Sequence, residues 1–146
     1  MRQAPELLLV DDNPADVTLV RESLADTIHQ SHIHSVLAGA DAISFLRRTG
    51  KHVNVIRPDL VILDLNLPAT NGYQILSEMK ADVDLRKIPV VVFSSSESKR
   101  DIARSYELGA NCYVSKPADL KRFFAVVRAI EEFWFGYARL QEGQCQ

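Results

Sequence analysis

The stretch LVILDLNLPATNG, Leu60 to Gly72, decides how the rest of the chain is read. It opens with an unbroken aliphatic run, Leu60 to Leu63, the pattern of a strand buried on both faces, and then places a carboxylate, Asp64, directly after it. Aspartate is a poor strand former and is costly to desolvate. Either Asp64 closes the strand and opens a loop, or the strand serves to hold that carboxylate in place.

Working outward, similar short apolar runs recur. LLLV (Leu7 to Val10) precedes this strand, as does the weaker, alternating HIHSVL (His32 to Leu37), which reads as an edge strand. VVVF (Val90 to Phe93), introduced by Pro89, and CYV (Cys112 to Val114) follow it. Amphipathic stretches separate them, from about Ala15 to Ile28, Ala40 to Arg48, Tyr73 to Lys80 and Ser98 to Leu108, and a long helix starts near Asp119. Continuous apolar strands joined by helices predict an α/β fold: a doubly wound, five-stranded parallel sheet built from (βα)5 units, with an extended C-terminal helix. The longest irregular connection, Thr49 to Arg57, reads as a surface excursion.

At 146 residues the chain has the size of one ordinary domain. A net charge of −2 argues against a surface built for nucleic acid or anionic membrane. No apolar run approaches the roughly 20 residues that span a bilayer. The start, MRQAPELLLVDD, is too poor in apolar residues for a signal peptide. Cys112 lies in an apolar run and Cys145 in a polar tail, a pair that suits neither a disulfide framework nor a structural zinc site. A reducing cytoplasm is the expected setting.

In open α/β sheets ligands bind beyond the carboxyl ends of the strands. The first strand ends in Asp11 and Asp12, and the third in Asp64, followed by Asn66, Pro68 and Gly72. The fourth ends in Ser94, Ser95 and Ser96, and the fifth in Lys116 and Pro117. Taken singly, each has an ordinary explanation: Asp12 or Asn13 could cap the helix that starts at Pro14, and SSSES could be a polar loop. Together they bring three carboxylates, hydroxyls and one lysine to one edge of the sheet. Two carboxylates about 4 Å apart repel by roughly 4 kcal/mol at an effective dielectric near 20, so the acids call for a cation. An all-oxygen site open on one side suits Mg²⁺ shared with a phosphoryl group.

The motifs LLLVDDNPAD, LVILDLNLPATNG, IPVVVFSSSES and NCYVSKPADL resemble those of the receiver domains of two-component response regulators, CheY being the best-known example. The resemblance runs from about Glu6 to Phe135, and implies a flavodoxin/CheY-like fold. It implies that Asp64 is the phosphoacceptor for a sensor histidine kinase, that Asp12, Asp64 and the carbonyl of Asn66 ligate Mg²⁺, and that Asp11 holds one of the ion's waters. Lys116 and Ser94 would contact the phosphoryl group, Tyr113 would be the aromatic switch that follows Ser94, and the Lys116–Pro117 bond would be cis. Ser94 stands where threonine is commoner, and Ser95 where alanine or glycine is frequent. The chain would then be no enzyme beyond its own phosphotransfer and dephosphorylation.

The runs RPDLVILDLNLP, YELGANCYVSKPADLKRFFAVV and IEEFWFGYARL look most similar to single-domain regulators that partner phytochrome photoreceptor kinases. No output domain is read after the receiver, so the signal is expected to leave through a changed surface. Phe123, Val127, Ile130, Trp134 and Tyr137 recur at helical spacing, a seam for the sheet or a partner. Phe133, Phe135 and Leu140 fall outside that stripe. We expect residues 1–136 to form the receiver and 137–146 an interface tail. A homodimer is expected through Phe133, Trp134, Phe135, Tyr137 and Leu140. His29, His32 and His34 form a run whose side chains need not converge on a metal. Two other readings stand beside this one. A haloacid-dehalogenase-type phosphatase would carry its D-x-D after the first strand, and an FMN-binding flavodoxin would have its phosphate repelled by Asp11 and Asp12.

Overall fold

The computed structural model describes residues 4–67 and 71–141. Pro68 and Cys145 lie outside them, as does the end of the expected tail from residue 142. The parallel strands β1 (Glu6–Val10), β2 (His32–Val36), β3 (Leu60–Leu63), β4 (Val90–Ser94) and β5 (Cys112–Ser115) form one sheet in the order β2-β1-β3-β4-β5. The helices are α1 (Pro14–Ser23), α2 (Gly39–Arg47), α3 (Gly72–Ala81), α4 (Lys99–Glu107) and α5 (Leu120–Glu131). The expected architecture is therefore present. The strand order turns back between β1 and β3, so the carboxyl ends of those two strands border the crevice where a ligand fits.

Every residue of β1, β3 and β4 is buried because both sheet faces are covered. Successive side chains point to opposite faces. Leu8, Val10, Val61, Leu63, Val90 and Val92 pack with Phe45 of α2 and Leu76 and Met79 of α3. Leu7, Leu9, Leu60, Ile62, Val91 and Phe93 pack with Val20 of α1 and with Phe123, Val127 and Ile130 of α5. This double burial is what makes the strand at Leu60 rigid up to its last residue.

Two elements depart from the expected boundaries. α1 stops at Ser23 rather than continuing to Ile28, because α5 captures the chain there. Arg128 Nε donates to the Ser23 carbonyl at 2.9 Å. The buried Glu131 carboxylate accepts Ser31 Oγ at 2.6 Å and Thr27 Oγ1 at 3.1 Å. Ile28 is left in solvent. A helix carried through residues 24–31 would forfeit these bonds and leave a buried charge unsatisfied.

The second departure follows α5, which continues as a π-helical turn, Glu132–Tyr137, closed by Ala138 N–H on the Phe133 carbonyl at 2.8 Å. The wider turn advances the buried stripe by one residue. After Ile130 the next core side chain is Phe135, where α-periodicity points to Trp134 and then Tyr137. Gly136 leaves room for the Glu132 carboxylate, which pairs with His29 at 2.8 Å and would lie 2.6 Å from a Cβ at that position.

The histidine run is divided. His32 Nδ1 and His34 Nε2 each lie 2.7 Å from a different oxygen of the buried Glu6, while His29 pairs with Glu132. The irregular segment after α2 is likewise tied down, by His52 on Asp41 at 2.6 Å. No described helix is long and apolar enough to cross a membrane.

Candidate functional site

β1 and β3 run side by side and deliver Asp11 and Asp64 to the same edge, with Asp64 N–H donating to the Val10 carbonyl at 2.9 Å. Both carboxylates are buried, whereas Asp12 is exposed. Asp11 accepts the Asn13 N–H at 2.9 Å, and Asp64 accepts the Asn66 N–H at 3.3 Å. Carboxylate oxygens of Asp11, Asp12 and Asp64 lie within 4.8 Å of one another. Such an all-oxygen set, open to solvent on the Asp12 side, fits a hard divalent cation. Burial pushes the Asp11 carboxyl above the ordinary range, against the lowering pull of the Asn13 N–H and of Lys116.

Lys116 arrives from the end of β5, held by its own N–H on the Ser94 carbonyl at 2.8 Å. Its ammonium lies 2.8 Å from Asp16, 2.9 Å from Asp11 and 3.1 Å from Asp64, and 5.9 Å from the centre of the Phe93 ring. Burial alone would ease its proton off, but the hydrogen bonds to Asp16 and Asp11 and the charges of Asp11 and Asp64 outweigh burial. The lysine is held charged well above its ordinary range. The Lys116–Pro117 bond is trans, since no cis peptide occurs among the described residues, and the implied cis form is corrected. The two forms of an X-Pro bond differ by only about 1 kcal/mol, so sequence alone leaves the choice to the surrounding fold.

Asp16 is absent from the set expected from sequence. As an acid in the first turn of α1 it reads as an ordinary partner for the helix dipole. The signal that could have found it is the shortness of the β1–α1 connection, which sets the first turn of the helix over the strand ends. Gly72 is needed for contact rather than for φ: a Cβ there would sit 2.6 Å from the Asp64 carbonyl oxygen and 2.8 Å from Leu65 Cα. The start of α3 thus lies directly against the backbone that carries Asp64.

Ser94 is fully buried at the end of β4, and its Oγ accepts the Ser96 N–H at 3.2 Å. The Tyr113 hydroxyl donates to the Ser96 carbonyl at 2.8 Å, so Ser96 bridges the expected hydroxyl and the expected switch. Ser96 Oγ in turn donates to Asp101 at 2.6 Å, and the Tyr73 hydroxyl donates to the other oxygen of that carboxylate at 2.5 Å. These bonds hold Asp101 below the usual carboxylate range, and burial together with the Asp101 bond pushes the Tyr73 phenol up to about 12. Neither Asp101 nor Tyr73 stands out in the sequence, because each becomes informative only through a partner on another helix.

The aromatic tail divides. Phe133 and Tyr137 are exposed, at 54% and 73%. Trp134 and Leu140 are half-buried against the core, and Phe135 lies within it. The Phe133 and Trp134 rings meet edge to face at 5.2 Å.

A profile of the response regulator receiver domain family matches residues 7–128. Among known proteins, response regulator Rcp1 of Synechocystis sp. is 42% identical over 128 residues, spanning 88% of this chain and 87% of its own. The crystal structure of the phosphorylated cyanobacterial phytochrome response regulator RcpA superposes with a TM-score of 0.93 at 43% identity, covering 96% of this chain and 100% of that one. The Mn²⁺-bound form of Rcp1 superposes with a TM-score of 0.90 at 40% identity, covering 94% and 99%.

Proposed function

The chain belongs to the response regulator receiver domain family, and from that premise we propose that it accepts a phosphoryl group on Asp64 from a sensor histidine kinase of the phytochrome type. The observation that carries this is the placing of Asp64, buried at a strand end, 3.1 Å from the Lys116 ammonium and inside the Asp11–Asp12 carboxylate group. One Asp64 oxygen forms the O–P bond as the P–N bond to the kinase imidazole breaks, and the electron pair stays on the imidazole nitrogen. The chain's contribution is to hold that oxygen still and keep compensating charge beside it. Asp11, Asp12, Asp64 and the Asn66 carbonyl would hold Mg²⁺, which supplies charge neutralisation for the phosphoryl oxygens. Lys116 would hold one of those oxygens and Ser94 Oγ another, and movement of Ser94 would pass through Ser96 to Tyr113. In this reading the protein is a cytoplasmic phosphoacceptor, with no turnover on a separate substrate.

Incubation with acetyl phosphate and Mg²⁺ tests the reading. One acid-stable, base-labile phosphoryl group per chain is expected by intact mass, mapping to the peptide that contains Asp64. A label on serine, or none, would overturn it.

We also propose that residues 1–136 act as the receiver and that the end of the last helix and the chain from 137 onward take part in a homodimer contact. Phe133 and Tyr137 support this as exposed aromatic groups on adjoining turns, with Trp134 and Leu140 at their edge. Light scattering should show a dimer that becomes a monomer in the double variant Phe133→Ser, Tyr137→Ser. A wild-type monomer, or an unchanged dimer in the variant, would count against this contact.

A further inference from the structure

We propose that Asp16 is a brake on phosphoryl occupancy: it competes with the incoming group for Lys116. The inference rests on the reading of Asp64 as phosphoacceptor and assigns to the same site a regulator outside the expected set.

Asp16 is not needed to cap its helix. Asn13 Oδ1 accepts the N–H groups of both Ala15 and Asp16, at 2.9 and 3.3 Å, which leaves the Asp16 carboxylate to cross to β5. A lysine ammonium has three N–H donors. Lys116 directs them at Asp16, Asp11 and Asp64, and Asp16 is the nearest at 2.8 Å. A phosphoryl oxygen that is to bond Lys116 must therefore take a donor from a carboxylate. Asp11 is buried and further held by Asn13, and Asp64 is the group being modified. Asp16 has a side chain 20% exposed and lines an open groove of about 800 Å³ with Ser95, Lys116, Pro117 and Phe123. It is the partner that can leave.

Charge points the same way. Converting the Asp64 carboxylate to an acyl phosphate adds one negative charge to a site where Asp11 and Asp16 already hold the lysine and Asp12 lies beside Asp11. Two groups sharing one ammonium lie roughly 5 Å apart, and with screening at the groove their repulsion amounts to about tenfold in an equilibrium constant. Asp16 thus disfavours the phosphorylated state and releases Lys116 only against that cost.

Beryllofluoride adds the same single charge on an aspartate without chemistry, so its affinity in the presence of Mg²⁺, read by fluorine NMR, isolates the effect. Asp16→Asn and Asp16→Ala should each bind it about tenfold more tightly than wild type. Loss of a merely structural contact would move the affinity in the opposite direction. If wild type binds and the variants bind equally or more weakly, the brake is refuted while the phosphoacceptor reading stands. If wild type neither binds beryllofluoride nor takes up label from acetyl phosphate, both fall.

Discussion

Asp64→Asn is expected to remove the phosphoryl label from acetyl phosphate completely, a loss of at least roughly a hundredfold in rate, because an amide oxygen is no nucleophile toward phosphorus. The substitution keeps the size of the side chain and an oxygen to accept the Asn66 N–H, so the end of β3 has no reason to move. It removes one of the carboxylates on Lys116, but Asp11 and Asp16 remain within 2.9 Å of the ammonium and keep it paired. The variant should therefore fold like wild type while losing all labelling, measured by phosphate-affinity electrophoresis and circular dichroism on the same sample. Label that persists in a folded Asp64→Asn chain would exclude this residue as the acceptor.

Lys116→Ala should act on stability as well as on phosphorylation. Asp11, Asp16 and Asp64 converge on this one cation, and the lysine side chain is 9% exposed. Removing one partner of a buried charge group costs about 3–5 kcal/mol, and the partial exposure of Asp16 places this site near the lower end. Denaturation by urea in a chelator should show that loss, and Mg²⁺ should restore more stability to the variant than it adds to wild type. The pH dependence follows from Asp11, whose carboxyl burial already pushes up. A carboxyl with a raised folded pKa gives stability that is whole below its unfolded pKa and lost as pH rises through the folded one. Without Lys116 that rise is steeper, so the variant's deficit should be large at neutral pH and small in acid. A deficit independent of both pH and Mg²⁺ would mean that lost packing, rather than charge, is responsible.

Much of this site was legible before any coordinates. Asp11, Asp64 and Ser94 directly follow an apolar run, with Asp12 and Lys116 one residue further on, and in a parallel sheet that position alone sets them on one edge. The core was legible for the same reason, since Leu60 to Leu63 and Val90 to Phe93 are short apolar runs rich in β-branched residues and closed by polar ones, the pattern of a strand covered on both faces.

What the sequence by itself determined is thus the alternation of strands and helices, the buried face of each, and the residues at the strand ends. Those are local properties, set by periodicity and by which side chains water rejects. Only the tertiary structure decided that Asp16 of α1 reaches Lys116 and that Asp101 joins Tyr73 to Ser96. It alone ended α1 at Ser23 through bonds from α5, and set Phe135 in the core where the α-helical stripe pointed to Trp134. Each of these depends on how one element is rotated and advanced against another. A displacement of a single residue, such as the π turn at Glu132–Tyr137, exchanges a buried aromatic for an exposed one without altering any local preference. Element and edge are written in the pattern of the chain, whereas partner and phase come from packing.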